Sequence, residues 1–246
     1  VLEEARIPVE LIVGTSVGSL VGAIYADGRN RFELEQLARA LDRDDFFDFG
    51  VAPALFGTGL ASGDRLEGWV RDHLRARRIE DLRIPYAAVA TDLDTGAAVV
   101  LRAGDLARAV RASCAVPGVF QPVVQESRLL VDGGVVSNLP VREARALGAD
   151  VVIAVDVSAL AGKARPKNFV EVILRAVNIL ANEGVEQAAR EADVLVSPAV
   201  GELGLMDFGA KGKAIAAGQL AAREALPRIR EALARVRAAS LRSATP

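Results

Sequence analysis

From Val9 onward, short apolar runs alternate with amphipathic stretches along a chain of 246 residues. This alternation is typical of α/β domains, in which helices cover a mainly parallel sheet. Hydrophobic residues make up 51% of the chain, which is enough to bury a sizeable core. We therefore expect one domain over residues 1–246, with its strands in the apolar runs. Those runs are 11–13, 86–90, 98–101, 123–124, 129–131, 151–157 and 194–196.

Several amphipathic stretches begin with residues that favour a helix N-terminus. Three pairs have the spacing of a capping box, in which side chains bond the first free N–H groups: Asn30 with Glu33, Asp64 with Glu67, and Asn168 with Glu171. Residues 64–75 repeat apolar side chains at helical spacing, which predicts a buried stripe of Leu66, Trp69, Val70 and Leu74. Pro140 suits the start of a further helix and Gly148 its end.

The C-terminal segment, residues 210–246, is rich in alanine and arginine and is predicted to be helical. Proline removes a backbone donor and clashes with the preceding helical turn. We therefore expect Pro227 to divide this segment into two helices.

Charge and cysteine content exclude several classes of function. The chain has 30 basic and 32 acidic residues, and it has no long block of like charge, so a nucleic-acid partner is not expected. Its one cysteine, Cys114, cannot form an internal disulfide, and one histidine adds no Cys/His cluster of metal-ligand spacing. No apolar run reaches the roughly 18 residues of a membrane-spanning helix, so we expect a soluble protein.

The segment 11–28 combines an apolar run, a sharp turn and a helical stretch of small residues. The turn contains Gly14-Thr15-Ser16-Val17-Gly18, the G-x-S-x-G pattern of a nucleophile elbow. Glycines on both sides let neighbouring backbone approach the serine, and the Val17 N–H at the helix N-terminus can stabilise an oxyanion. An ordinary turn remains the alternative, whereas nucleotide binding is disfavoured because no lysine follows and G-x-G-x-x-G spacing is absent.

A serine hydroxyl becomes a nucleophile when a neighbouring base removes its proton. The single histidine, His73, extends an apolar helical stripe, and we interpret it as a surface or partly packed side chain. Asp132 ends the apolar run 129–131 and is followed by Gly133 and Gly134, which makes it the favoured base. Asp-Gly is also a common turn, so the pattern alone leaves both interpretations open.

Taken together, the Ser16 and Asp132 motifs and the stretch between them resemble the patatin-like phospholipase family, particularly its bacterial members. Further matches are Thr91-Asp92 with Gly96, residues 112–117 with Phe120 and Pro122, and Asn138 with Pro140. The resemblance extends from Ile7 to about Gly218. It implies a three-layer α/β/α fold with a mainly parallel central sheet.

The resemblance also implies a mechanism and a substrate class. Ser16 would be the nucleophile and Asp132 its base, with Gly14, Val17 and Gly18 forming the elbow and oxyanion site. Gly133 and Gly134 would support the base, and no metal or cofactor would be required. The expected substrate is a fatty-acyl ester of a phospholipid, a lysophospholipid or a related lipid. The expected location is the cytoplasm, with peripheral membrane contact, and the oligomeric state is not predicted.

One feature of that family has no counterpart in this chain. Its members carry a glycine-rich loop before the elbow, whose N–H groups build most of the oxyanion hole. Residues 1–13 contain no glycine and resemble the end of the helix that follows that loop. We therefore expect an N-terminally truncated domain with weak or no esterase activity. The alternative function is that of an inactive or weakly active regulatory, lipid-binding relative.

Three other groups have a functional and a structural interpretation, and the structural one is favoured for each. Cys114, in an apolar context, is expected to be a core residue rather than a reactive thiol. Four phenylalanines could line an entrance for acyl chains but are expected to pack in the core: Phe46, Phe47, Phe49 and Phe56. A basic cluster could contact lipid headgroups but is expected to be a solvated helix end: Arg75, Arg77 and Arg78.

Overall fold

The computed structural model describes residues 1–48, 59–158, 169–182, 184–201, 203 and 208–243. The strands are β1 (Ile12–Thr15), β2 (Gly59–Ala61), β3 (Tyr86–Asp92), β4 (Ala98–Leu101), β5 (Gly118–Phe120), β6 (Val123–Gln125), β7 (Arg128–Asp132), β8 (Ile153–Val155) and β9 (Val194–Val196). The α-helices are α1 (Val17–Ala26), α2 (Arg31–Ala40), α3 (Arg43–Phe46), α4 (Asp64–His73), α5 (Leu106–Ser113), α6 (Val141–Ala146), α7 (Phe169–Asn182), α8 (Val185–Glu191) and α9 (Lys211–Ser243). Short 3-10 helices lie at Ile79–Asp81, Gly133–Val135 and Phe208–Ala210.

The expected α/β class is confirmed, and every predicted apolar run contains a strand. Strand β3 is central to a five-stranded sheet, in which it pairs with β1, β4 and β7, while β6 pairs with β7. Pairing is parallel between β1 and β3, between β2 and β5, and between β8 and β9. It is antiparallel at β3–β4, β3–β7 and β6–β7. Short connections explain the antiparallel pairs β3–β4 and β6–β7, since a parallel neighbour requires a long crossover.

Strands β1 and β7 meet end to end along one edge of β3. Thr15, the last residue of β1, pairs with Val89, and Asp132, the last residue of β7, pairs with the next residue, Ala90. Strand β4 pairs with both Val89 and Ala90, so β1 and β7 must share the opposite edge. Because the two strands run toward each other, the residues that follow them leave the sheet at the same point.

The core around this sheet is built mainly from small side chains on β3 and from one face of each neighbouring helix. All seven residues of β3 are buried. The predicted stripe on α4 is confirmed, because Leu66, Trp69, Val70 and Leu74 are buried in the same cluster. Helices α1 and α5 also contribute buried residues to it, so both are held firmly against the sheet.

Of the predicted capping residues at helix N-termini, one is confirmed and one is wrong. Asn30 and Glu33 form the predicted capping box of α2. The prediction for Asp64 is wrong: Asp64 is the first residue of α4 and does not cap it, because Gly63 in the left-handed region takes the cap position. Asp48 instead accepts hydrogen bonds from the N–H groups of Gly63 and Asp64, at 3.0 and 3.1 Å. The predicted Asn168 box lies outside the described residues.

Helix α9 is continuous through Pro227, so the predicted division into two helices is wrong. Proline costs about 3 kcal/mol within a helix, but packing can outweigh that cost. Ala225, Ile229 and Ala232 on α9 are almost completely buried beside Val194 and Val196 of β9. This buried face spans the proline and holds both halves in one helix. Among the described residues, no helix is long and apolar enough to cross a membrane.

Candidate active site

The G-x-S-x-G segment forms a sharp turn between β1 and α1. Ser16 has φ 53° and ψ −130°, a conformation that is unfavourable for a residue with a side chain, and it occupies the N-cap position of α1. A Cβ atom on Gly14 would lie 2.5 Å from the Gly18 carbonyl oxygen, so this close approach requires glycine. Gly18 differs, because a Cβ there would contact nothing within 4 Å. The sequence therefore predicted the turn and the need for Gly14 correctly, but the predicted close approach of backbone at Gly18 is wrong.

Two buried serines bind the backbone of Ser16. The Ser16 N–H donates to Ser113 Oγ over 3.0 Å, and Ser113 Oγ donates to the Val89 carbonyl over 2.6 Å. Ser19 Oγ donates to the Ser16 carbonyl over 2.7 Å. Both serine side chains are buried, and their bonds to Ser16 are partly shielded from water. The main chain of Ser16 is thus held on both sides.

Asp132 lies at the end of β7, where it is held by its own backbone. Its N–H donates to the Ala115 carbonyl over 2.9 Å, and its carbonyl accepts from Thr91 Oγ1 over 3.0 Å. Its carboxylate Oδ1 accepts from the Gly134 N–H over 2.7 Å. The other oxygen, Oδ2, is buried and accepts no hydrogen bond of standard geometry from the described residues. That oxygen is therefore available to accept a proton.

Burial dominates the ionisation of Asp132. It raises the pKa to about 6, while the Ser16 hydroxyl and the Gly134 N–H act in the opposite direction. The Ser16 hydroxyl is thus close enough to Asp132 to influence its charge. A carboxylate with this pKa is mostly ionised at neutral pH and is a stronger base than an exposed aspartate.

The double glycine after Asp132 permits the junction between β1 and β7. A Cβ on Gly133 would overlap the Val89 carbonyl and lie 3.1 Å from Thr15 Cγ2. A Cβ on Gly134 would lie 3.0 Å from Asp132 Oδ1. Gly133 therefore requires a residue without a side chain, whereas a side chain at position 134 would crowd the carboxylate of Asp132.

The remaining candidate side chains lie in structural environments. His73 stacks on Trp69 with ring centroids 4.3 Å apart, and its Nδ1 is 2.8 Å from the Trp69 carbonyl oxygen. Cys114 is buried, and burial raises the pKa of its thiol. No cluster of metal-ligating side chains occurs in the described part of the chain.

The phenylalanine and arginine groups also follow the structural interpretation where they are described. Phe47 stacks on Phe120 with centroids 5.2 Å apart, and Phe46 packs against the main core. Phe49 and Phe56 lie outside the described residues. In the basic cluster, Arg75 pairs with Glu33, Arg78 pairs with Glu80, and Arg77 donates to the Arg71 carbonyl.

The roles of Ser113 and Ser19 were missed from the sequence. Ser113 lies in the stretch that matches the family, but its bond to Ser16 spans 97 positions of the chain. No local pattern predicts such a contact. Ser19 is three residues after Ser16, a spacing that allows the bond but does not distinguish it from ordinary helix packing.

Comparisons with known proteins give a matching family profile and several relatives of similar sequence. The sequence profile described as "Patatin-like phospholipase" matches residues 1–145. The chain is 38% identical over 160 residues to the human "Patatin-like phospholipase domain-containing protein 6", a match that covers 63% of this chain and 12% of the human protein. It is also 38% identical over 155 residues to an "Uncharacterized NTE family protein" of Mycobacterium tuberculosis, covering 63% of this chain and 42% of that protein. The chain thus spans less than half the length of these relatives.

Proposed function

Because the chain belongs to the patatin-like phospholipase family, we propose that it hydrolyses fatty-acyl esters of phospholipids or lysophospholipids through Ser16 and Asp132. The three-layer α/β/α fold of that family agrees with the observed α/β class. Family membership supports hydrolysis of lipid acyl esters as the class of reaction, whereas the dyad and the particular lipid are our proposal. The observation that supports the dyad is the junction of β1 and β7, which brings a strained serine and a buried carboxylate to one point.

In the proposed reaction, Asp132 Oδ2 accepts the hydroxyl proton as Ser16 Oγ attacks the ester carbonyl carbon. The tetrahedral intermediate collapses, and the proton passes from Asp132 to the leaving alcohol oxygen. Asp132, ionised again, then takes a proton from water as that water attacks the acyl-serine. Collapse of the second intermediate returns the proton to Ser16 and releases a fatty acid.

The N-terminus of α1 supports the proposal electrostatically. The first N–H groups of a helix have no partner within the helix and attract negative charge. Val17 follows Ser16 directly and is the first residue of α1, so its N–H is one of these free donors and the one we propose for the oxyanion. One such donor contributes about 10²- to 10³-fold to turnover.

A second candidate function is that of a weakly active or inactive lipid-binding relative. It is considered because residues 1–13 contain no glycine, so this segment adds no glycine-rich loop to the Val17 donor. We expect residues 1–246 to hydrolyse esters slowly, and a chain extended upstream by a glycine-rich loop to hydrolyse them faster. Equal rates would contradict the need for additional donors.

The test of the proposed function is release of fatty acid from a lysophospholipid and a short-chain ester by the purified chain. Ser16→Ala and Asp132→Asn should each lower the rate roughly 10³-fold or more, because each removes a reacting group. His73→Ala is the control, since His73 packs on Trp69, and it should retain the rate. Hydrolysis that survives Ser16→Ala, or that is lost in His73→Ala, would contradict the Ser16–Asp132 dyad.

We further propose that helix α7 provides the peripheral membrane contact. Four of its apolar side chains are exposed and lie within an arc of about 100° on the helix: Phe169, Val172, Ile179 and Leu180. We call them the α7 stripe. Helix α7 packs against the 3-10 turn Gly133–Val135 that follows Asp132. Val17, directly after Ser16, and Val136, at the end of that 3-10 turn and four residues after Asp132, are also exposed apolar side chains.

A further inference from the structure

We propose that Ser113 is a positioning residue that holds the nucleophile in its strained conformation, a role that rests on the proposed function of Ser16. Ser113 is the last residue of α5, and its side chain is buried at the point where β1 leaves the sheet. Its hydroxyl lies between the Ser16 N–H and the Val89 carbonyl. The two groups face each other across the pairing of β1 with β3, so Ser113 bridges the ladder where the chain turns away.

A hydroxyl at position 113 can accept one hydrogen bond and donate another, and both are needed to bridge Ser16 and Val89. Its hydroxyl has one hydrogen, and this hydrogen is given to the Val89 carbonyl over 2.6 Å. The oxygen lone pairs are then available only as acceptors, and one of them receives the Ser16 N–H over 3.0 Å. Alanine at position 113 would remove the partner of the Ser16 N–H and of the Val89 carbonyl, which is costly for groups that are partly or fully buried.

The other serine that binds Ser16 is less important by the same reasoning. Ser19 Oγ donates to the Ser16 carbonyl, but that carbonyl also accepts from the backbone N–H groups of Ser19 and Leu20. Removal of the Ser19 hydroxyl therefore leaves the acceptor satisfied. The Ser16 N–H instead donates to Ser113 Oγ, so the two serines should differ in effect although both contact the nucleophile.

A Ser16 residue freed from Ser113 would relax toward an ordinary backbone conformation. Its φ of 53° is unfavourable for serine, and such conformations persist only when surrounding contacts enforce them. A displacement of the nucleophile by about 1 Å can lower a rate about 10²-fold. Because the Ser113 hydroxyl bonds backbone groups of Ser16 and Val89, we expect it to act through the backbone of Ser16.

The experiment measures two properties in the same set of variants: the rate of covalent labelling of Ser16 by a fluorophosphonate, and hydrogen exchange at the Ser16 amide. Ser113→Ala should slow labelling about tenfold to hundredfold and speed amide exchange at residues 14–17. Ser19→Ala, a matched loss of a buried hydroxyl beside Ser16, should change both by less than about threefold. Ser62→Ala removes a hydroxyl that contacts Asp48, far from the elbow in the hydrogen-bond network, and controls for lost stability.

The outcomes separate this inference from the proposed function. The positioning role is overturned if Ser113→Ala has the labelling and amide-exchange rates of the parent. It is also overturned if Ser62→Ala slows labelling as much as Ser113→Ala does. A parent chain that is never labelled, with faster exchange in Ser113→Ala, supports the positioning role and contradicts the hydrolase proposal. If Ser113→Ala does not fold, Ser113→Cys takes its place, because a thiol is a weaker acceptor and should give the same order of effects. In substrate assays the loss should appear in kcat, with KM little changed.

Discussion

At the scale of single residues, Asp132 determines how the proposed chemistry depends on pH. Burial raises its pKa to about 6, which means that the folded protein favours the neutral carboxyl more than the unfolded chain does. The carboxyl must lose its proton before it can act as a base. Stability contributed by the neutral form is therefore complete below about pH 4 and is lost as the pH rises through 6, while the reactive form appears over the same interval.

We predict that kcat/KM for a soluble ester rises through an acid limb near pH 6. Below that value the rate should fall about tenfold for each pH unit, because only the ionised carboxylate accepts the serine proton. Histidines ordinarily titrate in the same range, so His73→Ala is the decisive control. The limb should remain in that variant, and its disappearance would assign the base to His73 instead.

The two glycines of the elbow provide a second prediction at this scale. Gly14→Ala should prevent folding or lower the melting temperature by several degrees, because its Cβ would overlap the Gly18 backbone. Gly18→Ala should change the melting temperature little, since its Cβ would meet open space. Thermal unfolding of both variants tests this difference. Equal destabilisation would show that the turn geometry is not the cause.

At the scale of secondary structure, helix α4 depends on a side chain from outside the helix. Burial opposes ionisation of Asp48, but hydrogen bonds from the Ser62 hydroxyl and the Gly63 and Asp64 amides outweigh it and lower its pKa. Asp48→Asn should therefore reduce the free energy of unfolding by about 1 kcal/mol at neutral pH, as for other lost caps. This difference should diminish as the pH falls below the ordinary aspartate pKa and through the lowered pKa of folded Asp48.

Urea unfolding at two pH values measures the Asp48 effect, with Asp44→Asn as the control. Asp44 is an exposed acid on the neighbouring helix α3, and its substitution should change stability by less than about 0.5 kcal/mol. An Asp48→Asn variant as stable as the parent at neutral pH would show that α4 does not require this cap.

Sequence reasoning succeeded for elements whose signals are local. The apolar runs, the capping box of Asn30 and the stripe on α4 each lie within about ten residues of chain. The predictions failed where the stabilising contact is distant in sequence. Asp48, which caps α4, lies 15 residues before Gly63. Strand β9 packs against α9 on both sides of Pro227 and keeps that helix continuous. The turn between β6 and β7 has positive φ at Glu126 and Ser127, although such turns usually contain glycine, asparagine or aspartate, so the sequence did not predict it. Strands β2 and β5 were also not predicted.

At the scale of the whole molecule, the candidate site depends on three segments that are far apart in sequence. Ser16, Asp132 and Ser113 meet because β1 and β7 end at adjacent residues of β3 and because α5 ends beside them. The sequence motifs identified the first two as chemistry-bearing residues. Only the pairing of strands explains why they meet, and a strand register is not readable from local patterns.

The α7 stripe provides the prediction at this scale. The chain should bind phosphatidylcholine vesicles, and Phe169→Ser or Leu180→Ser should each weaken binding about tenfold or more through loss of apolar burial. Phe32→Ser and Leu220→Ser are matched controls, because these side chains are 70% and 59% exposed, against 68% and 67% for Phe169 and Leu180.

Vesicle flotation in the Ser16→Ala background measures this binding without hydrolysis of the lipid. The controls should bind like the parent, because Phe32 and Leu220 lie on other helices, α2 and α9. Equal losses in the stripe and control variants would contradict a specific membrane contact. A dimer of the parent that Phe169→Ser dissociates would assign the stripe to a second copy of the chain instead.

Activation of Ser16 by Asp132 can be measured without knowing the lipid substrate, by covalent labelling with a fluorophosphonate. Such a probe reacts with a serine that is both accessible and activated, whatever the lipid substrate. We predict that the folded parent is labelled at Ser16, that Ser16→Ala is not labelled, and that Asp132→Asn is labelled at least about 10²-fold more slowly. A folded parent that remains unlabelled, or a label that persists in Ser16→Ala, would contradict the proposal that Ser16 is the activated nucleophile.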